Sequence, residues 1–275
     1  MPFVENRGAK IYWDEQGQGE PMLLIMGLSY PSDMWHRSRP DLAAHYRSLA
    51  LDNRGCGRSS ATPGRNSMAL MASDAAAVLD AAGVDRAHIF GVSMGGMIAQ
   101  EFALQYPQRV RSLILACTHP GGLRAKLPDP GTIRALWARA TMTPEEAREI
   151  FIPILYDSST PRERIDEDFD VLKNWIPTPA AFRAQLRAIF WWHSYRRLPQ
   201  ITAPVLVIHG ESDRLVPPKN GKLIASRIPG AKLVMIPHAG HIFGTDQPEA
   251  SRQAVAEFLA QLDARPMPAA AGPRK

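Results

Sequence analysis

Six short apolar runs constrain the fold of this chain more than any other feature. They occupy 22–26, 48–51, 88–92, 112–117, 205–209 and 232–236, each long enough for one strand and too short for a helix of ordinary length. Their Val, Ile and Leu content suits strands covered on both faces. Stretches with helical period lie between several of them: 68–82 behind Ser67, 97–106 stopped by Pro107, and 249–262 opened by Pro248. Strands alternating with helices predict an α/β fold, with a mostly parallel central sheet and helices on both faces. Only the segment 9–15, with Gly17 and Gly19 after it, reads as one arm of an antiparallel hairpin.

The alternation breaks between 119 and 200. No convincing strand occurs there, but three Thr-Pro pairs do: Thr143-Pro144, Thr160-Pro161 and Thr178-Pro179. Thr caps a first helical turn, and Pro at the first helical position gives up only a donor that has no partner there. Glu163, three residues after Thr160, predicts a capping box at that start. The expected organisation is an α/β core formed by 1–118 and 201–264, with a helical cap, or lid, at 119–200. The Pro-, Ala- and Gly-rich tail at 265–275 is expected to be disordered.

With 275 residues, 45% of them hydrophobic, the chain can bury a large core without covalent staples. Its net charge of +5 gathers into no basic stripe with interleaved aromatics, so a nucleic-acid partner is not expected. Cys56 and Cys117 are too few for a disulfide framework, and neither has a CxxC partner. No apolar signal-peptide core follows Met1, and no apolar run approaches the ~20 residues of a membrane span. A soluble, cytoplasmic protein with no membrane partner is the expectation. No motif speaks to its oligomeric state.

The sharpest chemical signal is Gly91-Val92-Ser93-Met94-Gly95-Gly96, directly after an apolar run and directly before a helical pattern. A serine on a tight strand-to-helix turn needs neighbours without side chains, which Gly91 and Gly95 supply. The helix N-terminus also turns free N–H groups toward the site. This is the nucleophile-elbow pattern in the context that pattern requires. A serine hydroxyl needs a base held by a third group. Among eight histidines, His88 and His209 lie within apolar strands and suit the core. His241 follows the last strand in Pro237-His238-Ala239-Gly240-His241, at a strand's carboxyl end, where open parallel sheets place their sites. His238 is its near rival. Asp213, just after the run 205–209, is the candidate orienting carboxylate.

These residues, in the order Ser93, Asp213, His241, resemble those of the α/β-hydrolase family. The resemblance spans about Val4 to Leu262 and is carried by Ile25-Met26-Gly27-Leu28, by Asp52-Asn53-Arg54-Gly55-Cys56-Gly57-Arg58-Ser59, by 91–96, and by 210–213 with Gly240-His241. The stretch 91–118 is most similar to the branch of small esterases, enol-lactonases and cofactor-free haloperoxidases. The resemblance implies a serine hydrolase of a carboxylic ester or lactone, with no metal and no organic cofactor, whose partner is a small-molecule substrate. It places the oxyanion-hole N–H groups at Leu28 and Met94. Many members read His-Gly where this chain has Met26-Gly27, which leaves open what hydrogen-bonds beneath the hole. C–C bond hydrolase, amidase or aminopeptidase, acyltransferase, and perhydrolase or haloperoxidase would share the triad. A non-catalytic small-molecule receptor would share the fold.

Three further features carry two readings each. In 52–59, Arg54 or Ser59 could touch substrate, but a loop tied together by Asp52 and Arg54 is preferred. Cys56 suits packing better than nucleophilic chemistry. Trp191 and Trp192, at the end of the cap, could line a pocket over Ser93 together with Gly27, or could pack the cap onto the sheet.

Overall fold

The protein is represented by a computed structural model that describes residues 3–61, 64, 66–175 and 177–263. The tail at 265–275 lies outside them. Eight strands form one sheet: β1 (Phe3–Asn6), β2 (Ala9–Gln16), β3 (Glu20–Ile25), β4 (Tyr46–Leu51), β5 (Ala87–Val92), β6 (Val110–Ala116), β7 (Val205–Gly210) and β8 (Lys232–Ile236). Their order is β1-β2-β4-β3-β5-β6-β7-β8. β1 and β2 form an antiparallel hairpin, and β2 pairs antiparallel with β4. From β4 to β8 every pairing is parallel.

The helices are α1 (Arg39–Ala43), α2 (Met68–Ala81), α3 (Met94–Gln105), α4 (Pro130–Ala138), α5 (Pro144–Leu155), α6 (Arg162–Leu172), α7 (Pro179–Trp191), α8 (Lys219–Arg227), α9 (Phe243–Asp246) and α10 (Pro248–Asp263). Side chains of a strand alternate between its faces, and here each face has its own core. Leu23, Ile25, Ile89, Leu113, Leu115 and Val207 join a cluster with α2 and α3. Met22, Leu24, Phe90, Ile114 and Ile208 join a second cluster with Trp35 and α10. The strands are apolar throughout because both of their faces are covered.

Helices α4 to α7 fall between β6 and β7, with a small core of their own around Phe151, Leu155 and Ile165. Thr178 caps α7 by accepting from Ala181 N–H. The capping box expected at Thr160 and Glu163 is not formed. It occurs instead at Thr143, whose Oγ1 accepts from Glu146 N–H (3.2 Å) while the Glu146 carboxylate accepts from Thr143 N–H (2.9 Å). Thr160 Oγ1 donates to Asp246 Oδ1 at 2.5 Å, and Pro161 takes the cap position of α6. A charged acceptor outside the helix competes better for that hydroxyl than the helix end does.

Candidate active site

Ser93 stands between β5 and α3 with φ 57° and ψ −120°, a conformation that L side chains rarely adopt. Its neighbours explain how the strain is held. A Cβ at Gly91 would lie 2.2 Å from Gly95 O, and one at Gly95 would lie 2.0 Å from Ile25 O. Ser93 N–H donates to Ala116 O (2.8 Å), and Thr118 Oγ1 donates to Ser93 O (2.7 Å). Helix α3 begins at Met94, three residues before the predicted start. Gly95 and Gly96 are poor helix formers, but close packing against β3 outweighs their propensity.

Asp213 and His241 come together at the carboxyl ends of β7 and β8. His241 Nδ1 lies 2.8 Å from Asp213 Oδ2. A carboxylate only accepts, so Nδ1 carries the proton and Nε2 keeps its lone pair. Asp213 Oδ1 accepts from Leu215 N–H (3.0 Å) and Val216 N–H (2.8 Å). Burial works to raise the Asp213 pKa, but His241 and His209 beside it outweigh burial and hold it at about 2. His209, which the sequence assigns to the core, is fully buried and also places Nε2 3.2 Å from Asp213 Oδ2. The same Nε2 lies 2.8 Å from Val216 O, so it is the protonated nitrogen. His119 lies in this neighbourhood too. Burial first, then the charges of His241 and His209, pull its pKa down to about 4. His238 is exposed and away from the cavity.

Ser93 and His241 line the same cavity, with no direct hydrogen bond between them. The N–H groups of Leu28 and Met94 meet no acceptor among the described residues. A Cβ on Gly27 would lie 3.1 Å from Ser93 Cβ, so the loop passes close over the serine. Two residues to which the sequence assigns no role hold that loop, Asn53 within the 52–59 motif and Gln185 outside any motif. Asn53 Nδ2 donates to Met26 O from below (2.8 Å). Gln185 of α7 is fully buried; its Oε1 accepts from Ser29 N–H (2.9 Å) while its Nε2 donates to Arg54 O (2.9 Å). These bonds answer the question left by Met26.

The cavity has a volume of about 310 Å³ and a mostly apolar wall that includes Leu136, Phe151, Trp175, Phe182 and Leu215. Trp191 and Trp192 are not part of it, which corrects the pocket assignment. Trp191 is 86% exposed. Trp192 is buried and donates from Nε1 to Glu101 Oε2 of α3 at 2.7 Å. The chain leaves α7 at this point, so successive side chains face solvent and α3, and neither faces the serine.

The loop 52–59 is held together internally. Asp52 Oδ1 accepts from Ser32 N–H (2.6 Å), and Arg54 forms a buried two-point pair with Asp74 at 2.6 and 2.7 Å. Ser59 Oγ donates to Asp52 O (2.6 Å), and neither Arg54 nor Ser59 reaches the cavity. Cys56 is buried, and burial pushes its thiol pKa up. Cys117, His209 and Asp213 bring potential metal-ligand atoms within 4.8 Å of one another. The Asp213 oxygens are already engaged by two backbone N–H groups and His241, so the cluster lacks a free carboxylate for an ion.

Among the described residues, no helix is long and apolar enough to cross a membrane. The profile of the family described as alpha/beta hydrolase fold matches residues 20–248. A protein of Azorhizobium caulinodans, provisionally named carbamate hydrolase RutD, is 29% identical over 96% of this chain and 100% of its own length. The 2-hydroxy-6-oxo-6-phenylhexa-2,4-dienoate hydrolase of Burkholderia cepacia is 30% identical over 91% of each chain. The solved structure of a thermophilic esterase from Thermogutta terrifontis superposes with a TM-score of 0.80 and 30% identity, covering 95% of this chain and 97% of that one. The family match takes in β3 to β8, the inserted helices and the serine turn, and the chain belongs to the alpha/beta hydrolase family.

Proposed function

We propose that this protein hydrolyses a carboxylic ester or lactone through an acyl-enzyme on Ser93. The observation that carries the reading is the strained serine turn sharing one cavity with the base end of a His241–Asp213 pair. His241 Nε2 takes the Ser93 proton as Oγ attacks the carbonyl carbon. The Leu28 and Met94 N–H groups receive the oxyanion, a contribution worth roughly 2.7–4 kcal/mol where one such donor has been removed. His241 then delivers the proton to the leaving alkoxide as its C–O bond breaks. Asp213 fixes the imidazole tautomer and stabilises its charged form. Water attacks the acyl-enzyme by the same route and frees Ser93.

The mostly apolar cavity and the likeness to the Thermogutta esterase support an ester over a carbamate. The Burkholderia relative favours a second reading, hydrolysis of a C–C bond next to a carbonyl by the same groups. Short-chain nitrophenyl esters test the proposal. Turnover of many equivalents, abolished by Ser93→Ala and by a fluorophosphonate that labels Ser93 alone, is expected. Release that stops near one equivalent would mark a receptor, and labelling elsewhere would overturn the mechanism.

A further inference from the structure

The cavity above Ser93 holds a positive charge that none of the described residues answers. Arg139, just past the end of α4, lines the cavity and is half-buried. Among the described residues its guanidinium has no hydrogen-bond acceptor and no ion-pair partner. The other cations of the lining are compensated. Arg148 pairs with Asp166 and lies over the Phe169 ring at 5.0 Å. Lys173 pairs with Asp170 at 3.2 Å. The lining carboxylate Glu145 is exposed, sits in the first turn of α5 and makes no bond to Arg139. The buried Asp168 nearby is engaged by Arg37, Tyr156 and Thr245.

Taking a cation partly out of water without a counter-charge is costly, and burial accordingly pulls the Arg139 pKa down. The attraction of the α4 carboxyl end for a cation offsets part of that cost but offers the guanidinium no acceptor. Tyr30 lines the same cavity, and among the described residues its hydroxyl also has no partner. A planar fork of N–H donors in one cavity with a phenolic O–H suits one ligand group above others, a carboxylate held at two points.

We infer that Arg139, assisted by the Tyr30 hydroxyl, anchors a free carboxylate of the substrate, so that the ester or lactone cleaved is itself an acid. The inference rests on the ester chemistry proposed for Ser93. It narrows the substrate to half-esters, or to lactones with a carboxylate side chain. The carboxylate stays intact while the C–O bond at Ser93 breaks, and it leaves with whichever fragment carries it.

Four esters test this: monomethyl glutarate (carboxylate on the acyl part), 4-acetoxybutanoate (carboxylate on the alcohol part), neutral dimethyl glutarate, and nitrophenyl acetate. With the wild type, kcat/KM for one of the two acids should exceed that for dimethyl glutarate by about tenfold or more. Arg139→Gln should abolish that ratio, mainly through KM. Arg139→Lys should keep part of it, and Tyr30→Phe should reduce it. Glutarate binding to Ser93→Ala, measured by calorimetry, should weaken with Arg139→Gln and with added salt. A wild type that cleaves nitrophenyl acetate but shows no preference for either acid overturns this inference alone. An Arg139→Gln protein that keeps both the preference and glutarate binding overturns it as well. A wild type that turns over none of the four removes the ester reading and this inference with it.

Discussion

Gln185 and Ser29, 156 residues apart, meet at 2.9 Å, with the Gln185 side-chain carbonyl accepting the Ser29 N–H. A helix inserted after β6 thus holds the loop that carries Leu28, one of the two proposed oxyanion donors. Gln185→Leu would leave the Ser29 N–H buried without its acceptor, at about 1–3 kcal/mol. Beyond that loss of stability, kcat for nitrophenyl acetate should fall by about tenfold with little change in KM, because the donors act in the transition state. Equal kcat in a folded variant would refute the link.

The two histidines of one loop should separate cleanly. His241→Ala should lower kcat by orders of magnitude, as loss of a triad member does. His238→Ala, at an exposed position, should leave it nearly unchanged. Steady-state kinetics with a short ester decides, and the reverse ranking would reassign the base.

Substrate shape should depend on Phe182 and not on Trp191. Phe182 lies one turn before Gln185 on the same face of α7 and forms part of the cavity wall. Phe182→Ala should shift the preference among acyl chain lengths by about 1–3 kcal/mol of discrimination. Trp191→Ala, at the solvent-facing end of the helix, should leave the chain-length profile as it is.

Asp246 gives stability a particular pH dependence. It accepts from Gly240 N–H (2.6 Å) beside His241 and from Thr160 Oγ1, and burial, with the nearby Asp157 charge adding to it, raises its pKa to about 6. The folded state therefore holds this proton more tightly than the unfolded state, and stability falls as pH rises from about 4 to about 6. Asp246→Asn keeps an acceptor for Gly240 N–H and reverses the other bond, its amide N–H donating to Thr160 Oγ1, while removing the buried charge. Its melting temperature should exceed that of the wild type more at pH 7.5 than at pH 4.5, by on the order of 1–3 kcal/mol in stability. A gain that does not vary with pH would assign the effect to packing.

Much of this architecture is legible in the sequence because β5 and β7 are buried on both faces and have to be apolar throughout. The serine turn is equally legible, since Gly91 and Gly95 leave no room for another residue type. Contacts between distant segments are not. Gln185 and Arg139 look like ordinary polar residues on or beside a helix, and their meaning comes from what the fold places beside them. The Trp191-Trp192 pair misleads because aromatic content marks burial but not which surface does the burying. The capping box was expected at Thr160 because sequence spacing does not reveal that Asp246, far along the chain, competes for the hydroxyl.

The contact between Trp192 and Glu101 sets a mechanical boundary. Arg197 donates to the same carboxylate (2.8 Å), and Ser194 Oγ donates to Gln100 Oε1 (2.7 Å), so three residues after α7 are fastened to α3, the helix that starts just after Ser93. In any opening motion they travel as one rigid body with the serine. A hinge on that side would have to lie before Trp192, and not at the start of β7.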